Sequence, residues 1–296
     1  MTRVANISLS RNVLLANQRN LGHTADLQKQ LATGKRINQM SDDPISGRRA
    51  LVFKVQRFEL ERYQENIAKT LTFQETTDSV FSRMGEVVDE AKGLALRGVN
   101  ASEDAASRAT MARSIDGLLD RMVDLGNTVH DGRFIFSGAA VLDKPFALNN
   151  DRSAVAYAGD LDDFQVSISQ TTRVSVNLNG HSLFKSEVDV FATFARIRDA
   201  LDDNDPEGVE ELLDELDRVQ NHISGKQGEL GSRMQRVELT RTQIDNALVN
   251  LSELISNEED ADLAETISKL QVAETTLEAG LNAGARVLRP TLLDFI

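Results

Sequence analysis

FKVQRFELERYQENIAKTLTFQETTDSVFSRMGEVVDEAKGLA, residues 53–95, carries Phe53, Leu60, Ile67, Gln74, Phe81, Val88 and Ala95 at an unbroken spacing of seven. Seven residues make almost two turns of α-helix, so such a row runs along one side and asks for a partner helix. The stretch therefore predicts one long packed helix after Pro44. The prolines, at 44, 145, 206 and 290, divide the chain into blocks, because each interrupts or begins a segment. Downstream, Met111, Ile115, Leu118, Met122, Leu125 and Val129 alternate spacings of four and three, which adds a second helix and predicts a helical hairpin.

From about residue 133 to 186 the pattern changes: residues 134–136, 165–169 and 173–178 cluster β-formers between Gly and Asn/Asp turns, predicting a small β-containing module. Helical spacing returns at Val190, Phe194, Ile197 and Leu201, and Asp205 with Pro206 supplies an N-cap and a first helical residue. Leu216, Ile223, Leu230, Val237, Ile244 and Leu251 then stand seven apart, a helix of roughly 75 Å from 206 to 255. Gly225, Gly228 and Gly231 interrupt it, each costing about 1 kcal/mol relative to Ala; a kink and the close approach of another helix are both open readings.

The two ends carry narrow stripes. Ile7, Leu14, Leu21 and Gln28 form one line of a polar-spotted first helix, with Asn17, Thr24 and Leu31 as its other line. After the acidic 257–262 break, Leu263, Ile267, Leu270, Glu274, Leu277, Leu281, Gly284 and Leu288 alternate spacings of four and three up to Pro290. A narrow stripe suits one partner helix, and an isolated pair is marginal without further neighbours. The termini are expected to pair with each other and then with other subunits. The candidate assembly residues are Ile7, Leu14, Leu21, Leu31, Leu263, Ile267, Leu270, Leu277, Leu281 and Leu288. The fold class is mainly α: an elongated bundle of long antiparallel helices with a small β-containing outer module.

Composition agrees. The 296 residues are 41% hydrophobic but only 5% aromatic, enough to bury an aliphatic core. A net charge of -13 repels phosphate backbones, which argues against nucleic-acid binding. No run is apolar enough to span a bilayer, and the first eleven residues lack the apolar core and cleavage site of a secretory signal. With no cysteine there is no disulfide, thiolate metal site or thiol nucleophile.

No catalytic or cofactor pattern is found. His23, His130, His181 and His222 are far apart, and the phosphate-loop, dinucleotide and nucleophile-elbow motifs are missing. Asp203, Asp205, Glu207, Gly208 and Asp214 roughly follow a calcium-loop template, but Pro206 lies inside it and Asp replaces the last bidentate Glu; an acidic helix start explains the same residues. No cofactor, no metal and no enzymatic activity are expected.

QLATGKRINQMSDDPISGRRA, residues 30–50, resembles the N-terminal signature of the bacterial flagellins and their hook–filament junction relatives through Leu31, Gly34, Arg36, Ile37, Asn38, Asp42, Asp43 and Gly47. Residues 260–296 resemble the matching C-terminal end around Asp262, Ala264, Leu270, Leu277 and Ala279. DGRFIFSG at 131–138 resembles the junction branch, and Pro44 stands where filament subunits usually carry Ala. The closing ARVLRPTLLDFI, 285–296, lacks the flagellin-like Gln-Ala-Asn segment. The resemblance implies an extracellular structural adapter of the flagellum, exported by the type III route without a cleaved signal. Its implied partners are further copies of itself, the other hook–filament junction protein, flagellin and an export chaperone. The alternative is a filament flagellin subunit. It also implies an N-terminal assembly helix within 1–43, disordered in the free subunit, core helices over 44–132, the β module over 133–188, return helices over 189–256, and a C-terminal assembly helix over 257–296, likewise disordered until assembly.

Overall fold

The computed structural model describes the backbone of residues 2–287 and the side chains of 11–286. Its helices are α1 (Thr2–Thr33), α2 (Pro44–Gly98), α3 (Ala105–Gly126), α4 (Gly180–Phe184), α5 (Val190–Asp202), α6 (Pro206–Glu259) and α7 (Leu263–Val287). Between α3 and α4 run β1 (Val129–His130), β2 (Arg133–Phe134), β3 (Phe146–Leu148), β4 (Val155–Tyr157), β5 (Gln165–Ser167) and β6 (Arg173–Ser175). They pair as three antiparallel ribbons, β1 with β2, β3 with β4 and β5 with β6. The chain forms two compact units, Met1–Glu59 with Ala247–Ile296, and Leu60–Asn246.

In the Leu60–Asn246 unit the seven-residue row of α2 does what its spacing requires. Ile67, Gln74, Phe81, Val88 and Ala95 are all buried; Phe81, Val88 and Ala95 join one core with residues of α3, α5 and α6, while Gln74 donates to the Ser175 carbonyl of β6 at 3.4 Å. Packed helices run antiparallel: Arg198 of α5 meets Asp116 of α3 at 3.2 Å while Arg108 of α3 reaches Asn204 past the end of α5 at 2.7 Å, and α2 meets α6 through Gln64 with Asp245 at 2.6 Å and Asp78 with Gln227 at 2.9 Å. Phe81, Met84, Ile115, Leu119, Met122, Phe194, Leu216 and Val219 form the centre, each contributing on the order of 2 kcal/mol by leaving water.

The end of α3 differs from the expectation. Val129 continues the four-three spacing, yet the helix stops at Gly126 and Val129 opens β1, exposed. Asn127 takes the chain out: its side-chain amide donates to the Phe146 carbonyl and its carbonyl accepts from the Phe146 amide, both at 3.0 Å. The following Asp131-Gly132 pair has φ values of 49° and 74°, the left-handed pair that a two-residue hairpin turn needs. The β module thus starts four residues earlier than the sequence suggested, and β3 and β4 were not foreseen. Its own core is aromatic, Phe184 stacking on Phe191 at 4.7 Å with Phe146 edge-on at 4.8 Å. Gly138, with φ at 64°, lies where a Cβ would overlap the Asp160 carbonyl.

The three α6 glycines neither break the helix nor seat a neighbour, since α6 is continuous and a Cβ at any of them would meet nothing within 4 Å. The close-approach reading does not hold within this chain.

Arg108, 6% exposed, locks the tip of the four-helix packing. Its guanidinium donates to the Gly98 carbonyl at 2.8 Å, the Asn100 carbonyl at 3.0 Å and Asn204 Oδ1 at 2.7 Å. It thereby satisfies carbonyls of the last residue of α2 and of the turn after it, and carries positive charge to that helix's negative pole. Arg108→Met is expected to destabilise the chain by about 3 kcal/mol, since buried acceptors lose charged donors. Arg108→Lys should not rescue it, because an ammonium lacks the planar fork. Denaturant midpoints test this; an unchanged midpoint for Arg108→Met would remove the lock.

Candidate assembly surface

The terminal helices form an antiparallel pair: Asn17 Nδ2 donates to the Gly280 carbonyl at 3.2 Å, and Ala261 donates to the Gly34 carbonyl at 3.0 Å. Two rows face one another with alternating spacings of four and three. On α1 these are Val13, Asn17, Asn20, Thr24, Leu27 and Leu31; on α7 they are Thr266, Leu270, Ala273, Leu277, Gly280 and Gly284, each buried or half-buried. Asn, Thr, Ala and Gly dominate, so the helices approach closely over little apolar area. A Cβ at Gly280 would overlap Asn17 Oδ1, and one at Gly284 would lie 3.2 Å from Val13 Cγ1.

The larger side chains are divided between the seam and the outer surface. Of the candidate assembly residues, Leu31, Leu270 and Leu277 join the internal seam, whereas Leu14, Leu21, Leu263, Ile267 and Leu281 are exposed, Leu21 by 60%. The α7 seam is thus set one residue off the anticipated line at several steps, with Thr266, Ala273 and Gly280 in place of Ile267, Glu274 and Leu281. Leu27, 4% exposed, is a seam residue that the spacing argument missed. The side chains of Ile7 and Leu288, and residues 288–296 of the closing string, lie outside the described residues.

The two ends of the pair are joined by a clasp built from the 30–50 string and the α6–α7 connection. Gly34, with φ at 70°, ends α1. The next residues run antiparallel to the connection, Lys35 bridging Asp260, with Arg36 and Ile37 amides donating to the Glu259 carbonyl at 2.7 and 3.3 Å. The Glu259 side chain, 9% exposed, pairs with Lys35 at 3.0 Å and with Lys54. Burial pushes its carboxyl up, but the two lysines outweigh this and hold it below its ordinary value. Arg36 donates to the Glu258 carbonyl at 2.8 Å and pairs with Asp43 at 3.2 Å, while Arg49 pairs with Glu258 at 3.1 Å.

Each carboxylate of the paired aspartates also organises backbone. Asp42 accepts from the Asn38 and Gln39 amides at 2.9 and 3.0 Å. Asp43 caps α2, accepting from Ser46 and Ile45 amides, with Pro44 at the first helical position. The Ser46 amide is the main cause holding the Asp43 carboxyl at about 2. Gly47 passes where a Cβ would press on Met40 Sδ at 2.7 Å.

The titratable residues weighed for catalysis remain scattered. His130 Nδ1 meets Thr76 Oγ1 at 2.9 Å, and His222 lies between Glu187 and the Ser182 carbonyl, at 3.3 Å from each. Asp205 caps α6 by accepting from Gly208 N at 3.0 Å, the acidic-start reading of that run. Among the described residues no three His, Cys, Asp or Glu side chains gather as a metal-ligand set, and no helix is long and apolar enough to cross a membrane.

The bacterial flagellin N-terminal helical region matches residues 4–140, and the bacterial flagellin C-terminal helical region matches residues 213–296. Flagellar hook-associated protein 3 of Escherichia coli is 24% identical over 282 residues, covering 86% of this chain and 87% of its own length. A flagellin of Listeria innocua is 24% identical over 243 residues, covering 82% and 80%. The solved flagellar hook-associated protein 3 of Legionella pneumophila has the same fold at 15% identity, with a TM-score of 0.64 over 70% of this chain and 98% of that one. With both helical regions matched on one chain and its two ends joined in a single paired unit, this protein belongs to the bacterial flagellin family.

Proposed function

We propose that the protein is a non-enzymatic structural adapter of the bacterial flagellum, placed between a hook-associated protein and filament flagellin. The observation that carries this reading is the outer face of the terminal pair: Leu14, Leu21, Leu263, Ile267 and Leu281 stay exposed although Leu27, Leu31, Leu270 and Leu277 already fill the seam between the helices. A pair that keeps a second set of large apolar groups on its outer surface suits insertion among other helices. Similarity to hook-associated protein 3 of Escherichia coli over most of both chains favours the junction over the filament. Its partners are then further copies of itself, the other junction protein and flagellin, with an export chaperone before assembly. Export proceeds by the type III route, and the terminal helices order fully only in the assembly.

Head-to-tail contacts of this kind propagate unless the self-contact is poorly matched. Cells lacking the protein are expected to keep hooks, release flagellin into the medium and fail to swim. Labelled protein should mark a single band next to the hook in electron micrographs. Continuous labelling along the filament, or micrometre filaments grown from the purified protein alone, would favour the flagellin alternative.

A further inference from the structure

The start of α2 has an unusual outer face. Ile45, Leu51, Val52, Val55 and Phe58 are all at least half exposed, Ile45 by 72% and Phe58 by 73%. At 100° per residue they fall within an arc of roughly 140°, an exposed apolar stripe with Arg48 set between Val52 and Val55. Residues 45–58 contain Arg48, Arg49, Lys54 and Arg57 and no acid, in a chain whose net charge is -13. Arg49 and Lys54 are engaged by Glu258 and Glu259 of the clasp, Arg57 is half-buried, and Arg48 is exposed beside Val52 and Val55, where an incoming surface would meet it.

A surface of the opposite character lies within the Leu60–Asn246 unit. A groove of about 780 Å³ runs between α2 and α6, floored by Ala68, Leu71 and Met234. Its rim carries Glu61, Glu65, Glu75 and Glu238, of which Glu65 pairs with Lys69 at 2.7 Å and Glu238 with Arg241 at 3.5 Å. The stripe from Ile45 to Phe58 and the α2 wall of the groove from Glu61 to Glu75 each measure about 20 Å along a helix.

We propose that a second copy of this chain lays the apolar stripe of its α2, residues 45–58, into the α2–α6 groove, with Arg48 set against the glutamate rim. The contact is heterologous, since stripe and groove are different surfaces, so each copy offers one of each and copies add in one direction. Five side chains bury less than the ~1,200 Å² of a stable complex, so a single contact is weak and gains strength by repetition in an assembly. The inference rests on the adapter reading for that setting, and it names the surfaces through which copies of the adapter meet.

The absence of native cysteine permits a direct test in the full chain. Val55→Cys and Ala68→Cys proteins are mixed at high concentration and oxidised, and the same pair is expressed together in cells and oxidised on isolated flagella. Disulfide-linked heterodimer is expected in both, about tenfold above either variant alone. Glu65→Lys with Glu75→Lys should cut the yield about tenfold, and adding Arg48→Glu to the stripe partner should restore it. Leu51→Cys replaces Val55→Cys should the latter fail to fold. No heterodimer in either setting, or a yield indifferent to the charge swap, overturns the proposal. Binding of the stripe to phosphatidylglycerol vesicles without cross-linking would overturn it in favour of a membrane surface. If the protein is missing from hook–filament particles the adapter reading falls, while the purified mixture still decides this contact.

Discussion

Glu259→Lys is expected to leave the Leu60–Asn246 unit folded and to produce cells with hooks but without attached filaments. Glu259 is the hub of the clasp: its carbonyl receives the Arg36 and Ile37 amides, and its carboxylate sits between Lys35 and Lys54. Breaking a buried pair costs about 3–5 kcal/mol. Because Lys35 and Lys54 are 45% and 37% exposed, solvent screening lowers this to about 2 kcal/mol. The third ammonium then replaces two attractions by repulsions. Hydrogen exchange at the Arg36 and Ile37 amides should rise to that of a free loop, with the helix amides of α3 and α5 unchanged. Filaments of normal number together with protected amides would show that the clasp does not hold the terminal unit together.

The same residue sets an acid limit. Its folded-state carboxyl lies below the ordinary 4.5, so the pair's contribution is fully present above about pH 4.5 and is lost as pH falls through the folded value. Glu259→Gln at neutral pH should therefore show the clasp exchange rates that the unchanged protein reaches only in acid.

Sequence spacing located the packed face of α2 because Ile67, Phe81 and Val88 are both apolar and buried, and their line carries Gln74 and Ala95 into the core with them. On α1 and α7 the two properties part company. Leu14, Leu21, Ile267 and Leu281 attract any argument that counts apolar residues, yet they are exposed, and the internal seam runs through Asn17, Thr24, Ala273 and Gly280. A seam in which Leu27, Leu31, Leu270 and Leu277 alternate with Asn, Thr, Ala and Gly leaves no stronger trace in hydropathy than the exposed leucines do. The line Asn17, Thr24 and Leu31 was legible as a second row, but nothing in its composition marks it as the inward one. The clasp was visible only as a family resemblance at 30–50, since Lys35 and Glu259 are 224 positions apart and no local pattern couples them. Short ribbons such as β3 and β4, three residues each, are below the length at which alternation can be read.

Gly280→Leu should separate α1 from α7 and abolish filament attachment, although it places a good helix former in a helix. On propensity alone the change favours α7 by up to about 1 kcal/mol. Against this, even the first carbon added would overlap Asn17 Oδ1, whose amide already donates to the Gly280 carbonyl at 3.2 Å. One turn onward, Gly284 leaves only 3.2 Å to Val13 and 3.3 Å to Asn17 for a Cβ, so Asn17 has no free side to move to. Overpacking of this kind costs about 1–3 kcal/mol. A seam containing Asn17, Asn20 and Thr24 has little apolar burial with which to offset it. Gly280→Ala should show a smaller defect, and combining it with Asn17→Ala should restore pairing, because the clash belongs to those two positions and not to α7. The readout is a disulfide between Thr24→Cys and Ala273→Cys, facing positions of the seam: formed in the parent, lost with Gly280→Leu, retained in the Asn17→Ala/Gly280→Ala chain. A parent-like disulfide yield and normal filaments with Gly280→Leu would mean that the seam tolerates separation, and that the register of the terminal pair is set by the clasp alone.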